Sequence, residues 1–119
     1  MGGIDSSNSL ASKSLYRYEV STSKFIKLAD MLNGRSGFGC VYSPVNYSIY
    51  VIGGQCDDGN TNAVSNKCER YDVQTNKWIS ISSLSSPAFN PAVCYYVSSS
   101  SQNQTAISYL LKFGGKLND

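Results

Sequence analysis

The chain has 119 residues, 41% of them hydrophobic, with 10 Lys and Arg against 8 Asp and Glu; that length suits one domain with a modest core. A net charge of +2 with only 15% charged residues argues against nucleic-acid binding driven by bulk electrostatics. The absence of histidine excludes His-based triads, His-ligated metals and an imidazole base.

Along the chain, Met1–Ser14 has neither a basic segment nor an apolar run, so it does not read as a signal peptide. No stretch approaches the roughly 18 apolar residues of a membrane span, and a cytoplasmic protein without membrane contact is expected. Ser6 behind Met1-Gly2 fits the form of a myristoylation signal, but the glycines have a stronger reading below. Residues 37–43 and 48–54 are rich in Val, Ile, Tyr and Phe and are separated by turn formers, which predicts two strands. Residues 66–72 alternate, with Cys68 and Arg70 on one side and Glu69 and Tyr71 on the other. Residues 77–82 set Trp78 and Ser80 against Ile79 and Ile81, and Val73–Asn76 reads as the hairpin connection. Ala92–Tyr96 and Leu110–Phe113 are further apolar runs, with a polar loop at Ser98–Thr105 between them.

The four cysteines, Cys40, Cys56, Cys68 and Cys94, contain no C-x-x-C pair, so zinc is not expected. They read as reduced thiols, two or three of them serving as small core residues. A Cys56–Cys68 disulfide across one loop is the weaker alternative. Asn46-Tyr47-Ser48 and Asn103-Gln104-Thr105 have only the form of glycosylation sequons.

The predicted elements repeat. Gly-Gly occurs at Gly2-Gly3, Gly53-Gly54 and Gly114-Gly115. Tyr18 precedes Phe25 by seven positions, as Tyr71 precedes Trp78; Leu28 and Met31 correspond to Ile81 and Leu84. From Tyr18 to Tyr42 the copies keep a constant offset of 53, whereas the doublets are 51 and 61 apart. The surplus must lie in loops, where closure entropy grows slowly with length. Each unit therefore reads as four antiparallel strands, a to d, with the doublet ending strand b, where a missing Cβ allows an unusual dihedral or close approach.

Ile49-Tyr50-Val51-Ile52-Gly53-Gly54, Glu69-Arg70-Tyr71-Asp72 and Thr75-Asn76-Lys77-Trp78 together resemble the kelch repeat. Tyr16-Arg17-Tyr18-Glu19 and Lys24-Phe25 supply a first copy with Phe in the Trp place, and Met31–Gly39 resembles the Arg-containing approach to the next inner strand. The resemblance implies an all-β fold of four-stranded antiparallel blades in a partial β-propeller. Residues 1–35 would supply strands c and d of one blade, 36–83 a complete blade, and 84–119 strands a and b of a third. Tyr18, Phe25, Tyr71 and Trp78 would fill the space between blades. Departures are Ala88 in place of Arg35, Pro91 in place of Phe38, and Lys112 within the last apolar strand.

About two repeats fall short of the usual four to eight blades. Three readings follow: a fragment of a longer kelch protein, self-association in which one copy's a–b pair completes the next copy's c–d pair, or an open stack of sheets. The resemblance further implies a non-catalytic module binding another protein through loops 31–37, 84–91, 4–14 and 55–66, with no cofactor, no metal and no nucleic acid. Substrate receptors of ubiquitin ligases and cytoskeletal or scaffolding adaptors are the roles it suggests, and a fragment of a kelch-like propeller enzyme is the rival class. Asp57, Asp58 and Asn60 would present an acidic patch to a basic partner or a cation, although such a turn more often satisfies its own backbone. Arg35 is a candidate for an acidic ligand, against a salt bridge or carbonyl cap as the structural alternative. Arg17 and Arg70 sit at equivalent positions, which suggests a repeated structural pairing.

Overall fold

A computed structural model of the chain describes residues 1–57, 62–99 and 106–117. The described residues form eleven strands and no helix. β1 (Tyr16–Glu19) and β2 (Lys24–Lys27) make one antiparallel ribbon. β4 (Gly39–Ser43), β5 (Ser48–Ile52), β8 (Cys68–Asp72) and β9 (Lys77–Ile81) make a four-stranded antiparallel sheet in the order β4-β5-β8-β9. β10 (Ala92–Ser99) and β11 (Ala106–Phe113) form a long hairpin. This is the all-β set of antiparallel strands expected from the alternating patterns, in the four-stranded grouping that the kelch resemblance implies.

Three features differ from expectation. Within the expected loop 55–66, β6 (Gln55–Asp57) and β7 (Asn62–Val64) pair with each other, and β6 also pairs with β3 (Arg35–Ser36). Short polar strands of this kind carry no hydrophobic periodicity to betray them. Part of the expected polar loop 98–105 is strand, because eight residue pairs join β10 to β11 where five join β4 to β5. Serine next to an established ladder is carried into it by backbone pairing despite a weak strand preference. Finally, the glycine doublet lies just beyond β5 rather than inside it.

The three doublets share one backbone conformation, with φ of +62 and +99 at Gly2-Gly3, +63 and +91 at Gly53-Gly54, and +59 and +95 at Gly114-Gly115. Hydrogen bonds around the first two repeat as well. Gly2 N donates to Ser14 O (3.0 Å) as Gly53 N does to Lys67 O (3.2 Å), and Gly3 N donates to Arg35 O (3.0 Å) as Gly54 N does to Ala88 O (2.8 Å). Met31 N to Lys13 O (2.8 Å) is matched by Leu84 N to Asn66 O (2.9 Å). The offset of 53 is thus a repeat of backbone geometry and not of composition alone.

The core lies where the four-stranded sheet meets the segment after β2. Val51, Tyr71 and Trp78 pack with Leu15 and Met31, flanked by Leu28, Ala29 and Ile49. Tyr71 and Trp78 are in ring contact, with centroids 5.1 Å apart. The indole Nε1 donates to Ala29 O at 2.9 Å, and Asn76, in the left-handed turn between β8 and β9 (φ +54), accepts from Ala29 N and the Tyr71 hydroxyl. Burying one such aromatic contributes about 1.5–3 kcal/mol, so this junction holds much of the stability.

The matching pair in the first repeat behaves otherwise. Tyr18 and Phe25 touch at 5.0 Å, and Ser23 repeats the φ of Asn76, yet Phe25 is 73% exposed and Tyr18 is also exposed. The expectation that both are core is corrected: among the described residues no element covers the β1–β2 face they share. Cys56 and Cys68 are buried free thiols, which leaves the Cys56–Cys68 disulfide unformed, and Cys40 and Cys94 are exposed. The extents, 55 × 44 × 19 Å, describe a thin slab. Its radius of gyration of 15.6 Å exceeds the about 13.5 Å of a compact chain of this length.

Candidate functional site: an acidic cleft between loops

The segment between Gly3 and β1 folds back on itself. Asp5 N donates to Leu10 O and Ser9 N to Asp5 O, both at 2.8 Å, and Ile4 bridges Ala11. The Asp5 carboxylate accepts the Ser7 amide (2.8 Å) and hydroxyl (2.6 Å), and Asn8 Oδ1 accepts Leu10 N (2.9 Å). Short polar side chains bonding the backbone two residues on are what make such a loop stable without a core.

This loop lies against the one that follows β2. Arg35 N donates to Ser12 O, and Asp57 N, from β6, donates to Gly34 O. A Cβ at Gly34 would sit 2.0 Å from Ala11 O, so the two loops approach this closely only because residue 34 has no side chain. Between them lies an open cleft of about 430 Å³, lined among others by Asp5, Lys13, Asp30, Asn33 and Asp57. The hydrogen bonds from Ser7 hold the Asp5 carboxyl below its ordinary range, so it is charged at neutral pH. Asp30 forms an ion pair with Lys27 at 3.5 Å. Three carboxylates against two ammonium groups, Lys13 in the lining and Lys27 beside Asp30, leave this a mildly acidic concavity on a chain of net charge +2.

The hollow recurs in the next repeat. Cys56, Ala63, Val64, Ser65, Asn66 and Lys67 line a smaller one of about 150 Å³, and Leu10–Ser14 are the counterparts of Ala63–Lys67. Cys56 stands where the first copy has Asp5, and Asn66 where it has Lys13. The shape therefore belongs to the repeat, and the acidity to the first copy.

Of the expected binding residues, Asp57 lies at the cleft, while Asp58 and Asn60 fall outside the described residues. Arg35 is a correction. It is 0% exposed, its guanidinium donating to Gly53 O (2.7 Å), Lys67 O (2.9 Å) and the Glu69 carboxylate. Both structural alternatives, salt bridge and carbonyl cap, are realised together, and no ligand can reach it. Glu69, 1% exposed, also accepts Leu32 N (2.8 Å), Asn33 N (3.1 Å) and Asn33 Nδ2 (2.8 Å). Its place on the Tyr71 side of an alternating strand was the available signal, since a carboxylate on a core face needs a buried partner. Asp5 and Asp30 had no such signal, because their convergence depends on loop packing between distant segments. Arg17 forms an exposed pair with Glu19 at 4.0 Å, and Arg70 lies two residues before Asp72 on β8.

Among the described residues no cluster of three or more His, Cys, Asp or Glu side chains is placed to hold a metal ion, and no helix is long and apolar enough to cross a membrane. Residues 34–85 match the Kelch motif. The chain is 32% identical over 95 residues to a RING finger domain and kelch repeat-containing protein of Dictyostelium discoideum, covering 80% of this chain and 9% of that protein. It is 35% identical over 78 residues to an F-box/kelch-repeat protein of Arabidopsis thaliana, covering 66% of this chain and 19% of that one. The aligned stretch is thus a small part of each relative.

Proposed function

We infer that this chain, which belongs to the kelch-repeat family, is a non-catalytic protein-interaction module. Its repeats divide as strands c and d of one blade (1–35), a complete blade (36–83) and strands a and b of another (84–119). The observation that carries the functional reading is the acidic cleft. Asp5, Asp30 and Asp57 converge there from three segments that share no sequence proximity, and such a concavity suits a Lys- or Arg-bearing segment of a protein partner. The cleft is wide and open rather than an enclosed apolar pocket with a nucleophile or base at its floor, which favours a macromolecular partner over a small substrate. The RING and F-box relatives support a role in selecting proteins for ubiquitination.

Proximity labelling with the wild-type chain and with an Asp5→Asn, Asp30→Asn, Asp57→Asn variant tests the reading. Neighbours that include ubiquitin-ligase subunits, and that are lost in the variant, are expected. Identical neighbours for both chains would remove the cleft from recognition, and a set confined to cytoskeletal proteins would remove the ligase role.

A further inference from the structure

We propose that Asn33-Gly34 is a spontaneous deamidation site that Glu69 holds unreactive while the chain is folded, so that an episode of unfolding leaves a permanent chemical mark at the core junction. Asn33 is the single asparagine of the chain that is followed by glycine. Glycine is the neighbour that least obstructs attack on a side-chain amide, because it carries no Cβ. At this position it is not replaceable, since a Cβ on residue 34 would lie 2.0 Å from Ala11 O. The loop packing that requires Gly34 therefore leaves Asn33 beside its most reactive neighbour.

In the reaction, Gly34 N gives up its proton and forms a bond to Asn33 Cγ. The Cγ–Nδ2 bond breaks, ammonia leaves and a succinimide remains. Water then opens either imide carbonyl, and residue 33 becomes aspartate or isoaspartate. Amide and water have become carboxylate and ammonium, with no oxidant or reductant involved. Gly34 N makes no hydrogen bond among the described residues, so the attacking group is not tied up. The restraint lies on the asparagine. Asn33 N (3.1 Å) and Nδ2 (2.8 Å) both donate to Glu69 Oε1, which is itself held by the Arg35 guanidinium. The nitrogen that must leave is thus bonded to a carboxylate with 1% exposure, and its departure waits on local opening of the junction.

The product does not fit where the asparagine did. A carboxylate at residue 33 presents oxygen to Glu69 Oε1 where Nδ2 presented a proton. One guanidinium then stands between two acids at a site with essentially no exposure, which disfavours the charged form of one of them or drives them apart. Isoaspartate adds a main-chain carbon beside Gly34, where the approach to Ala11 leaves no room. Either product releases the turn that Leu32 N and Asn33 N fasten to Glu69.

Peptide mapping by mass spectrometry on the 119-residue chain, kept at neutral pH in buffer or in urea, tests the proposal. Asn8 is the internal reference, because it lies in an exposed loop and is followed by serine. In urea Asn33 should deamidate faster than Asn8, and in buffer the ratio of the two rates should fall at least about tenfold. The Arg35→Met, Glu69→Leu double variant removes the restraint without leaving a lone buried charge, and when folded it should return Asn33 toward the urea ratio. Chain deamidated in urea and returned to buffer, like an Asn33→Asp chain, should unfold at a lower urea concentration than the unmodified chain. Equal ratios in buffer and urea, a folded double variant with Asn33 as slow as in wild type, or a deamidated chain as stable as the unmodified one would each overturn the proposal. The first comparison uses the unaltered chain and stands whether or not the double variant folds. No readout requires a bound partner, so the partner-binding reading is left to its own test.

Discussion

Glu69 accepts four hydrogen bonds, from Leu32 N, Asn33 N, Asn33 Nδ2 and Arg35, and thereby fixes the turn after β2 onto β8. Removing one member of a buried ion pair leaves the other charge unsolvated, whereas replacing both by apolar groups removes the desolvation penalty as well. Glu69→Ala should therefore destabilise the chain by about 3–5 kcal/mol in urea unfolding, and Arg35→Met with Glu69→Leu by clearly less. Tyr71 provides a second test. Burial raises its hydroxyl above the ordinary value of 10.0, and the hydroxyl must stay protonated to donate to Asn76. The folded state then holds the proton more tightly than the unfolded state, so its stabilising contribution is complete below pH 10 and is lost as pH rises through the folded value. Alkaline titration of unfolding should show that loss, and Tyr71→Phe should blunt it.

At the level of elements, the same dihedrals serve different surroundings. A Cβ on Gly54 would lie 2.7 Å from Ser36 O and 2.9 Å from Phe38 Cβ, whereas one on Gly114 meets nothing within 4 Å. Gly114→Ala should thus cost only the left-handed penalty of about 1 kcal/mol, and Gly54→Ala at least about 2 kcal/mol, measured by thermal unfolding of the two variants. The strands β4, β5, β8 and β9 were legible in the sequence because each carries alternating or continuous apolar residues bounded by turn formers. β3, β6 and β7 were not, since pairs such as Arg35 with Cys56 form only once distant loops are brought together. The same reason hid most of the cleft: Asp57 was visible in an acidic run, but Asp5 and Asp30 join it only through the Gly34–Ala11 approach.

Across the whole molecule, stability is concentrated at one junction. The sheet β4-β5-β8-β9 and the segment from Leu28 to Arg35 share the core and the buried ion pair, while β1–β2 and β10–β11 expose aromatic and aliphatic side chains. Under dilute conditions, amide exchange should be slowest in β5 and β8 and fastest in β1, β2 and β11. The misjudged burial of Tyr18 and Phe25 has the same origin: their positions in the repeat are interior ones, but interior status depends on a neighbour and not on the residue.

The three additional residue pairs that lengthen the β10–β11 hairpin beyond β4–β5 extend it by about 10 Å. That extension runs away from the glycine doublets and so away from the cleft. Lengthening the repeat at this hairpin end leaves the dihedrals of its glycine doublet unchanged, so this is where the repeat absorbs added residues at little cost.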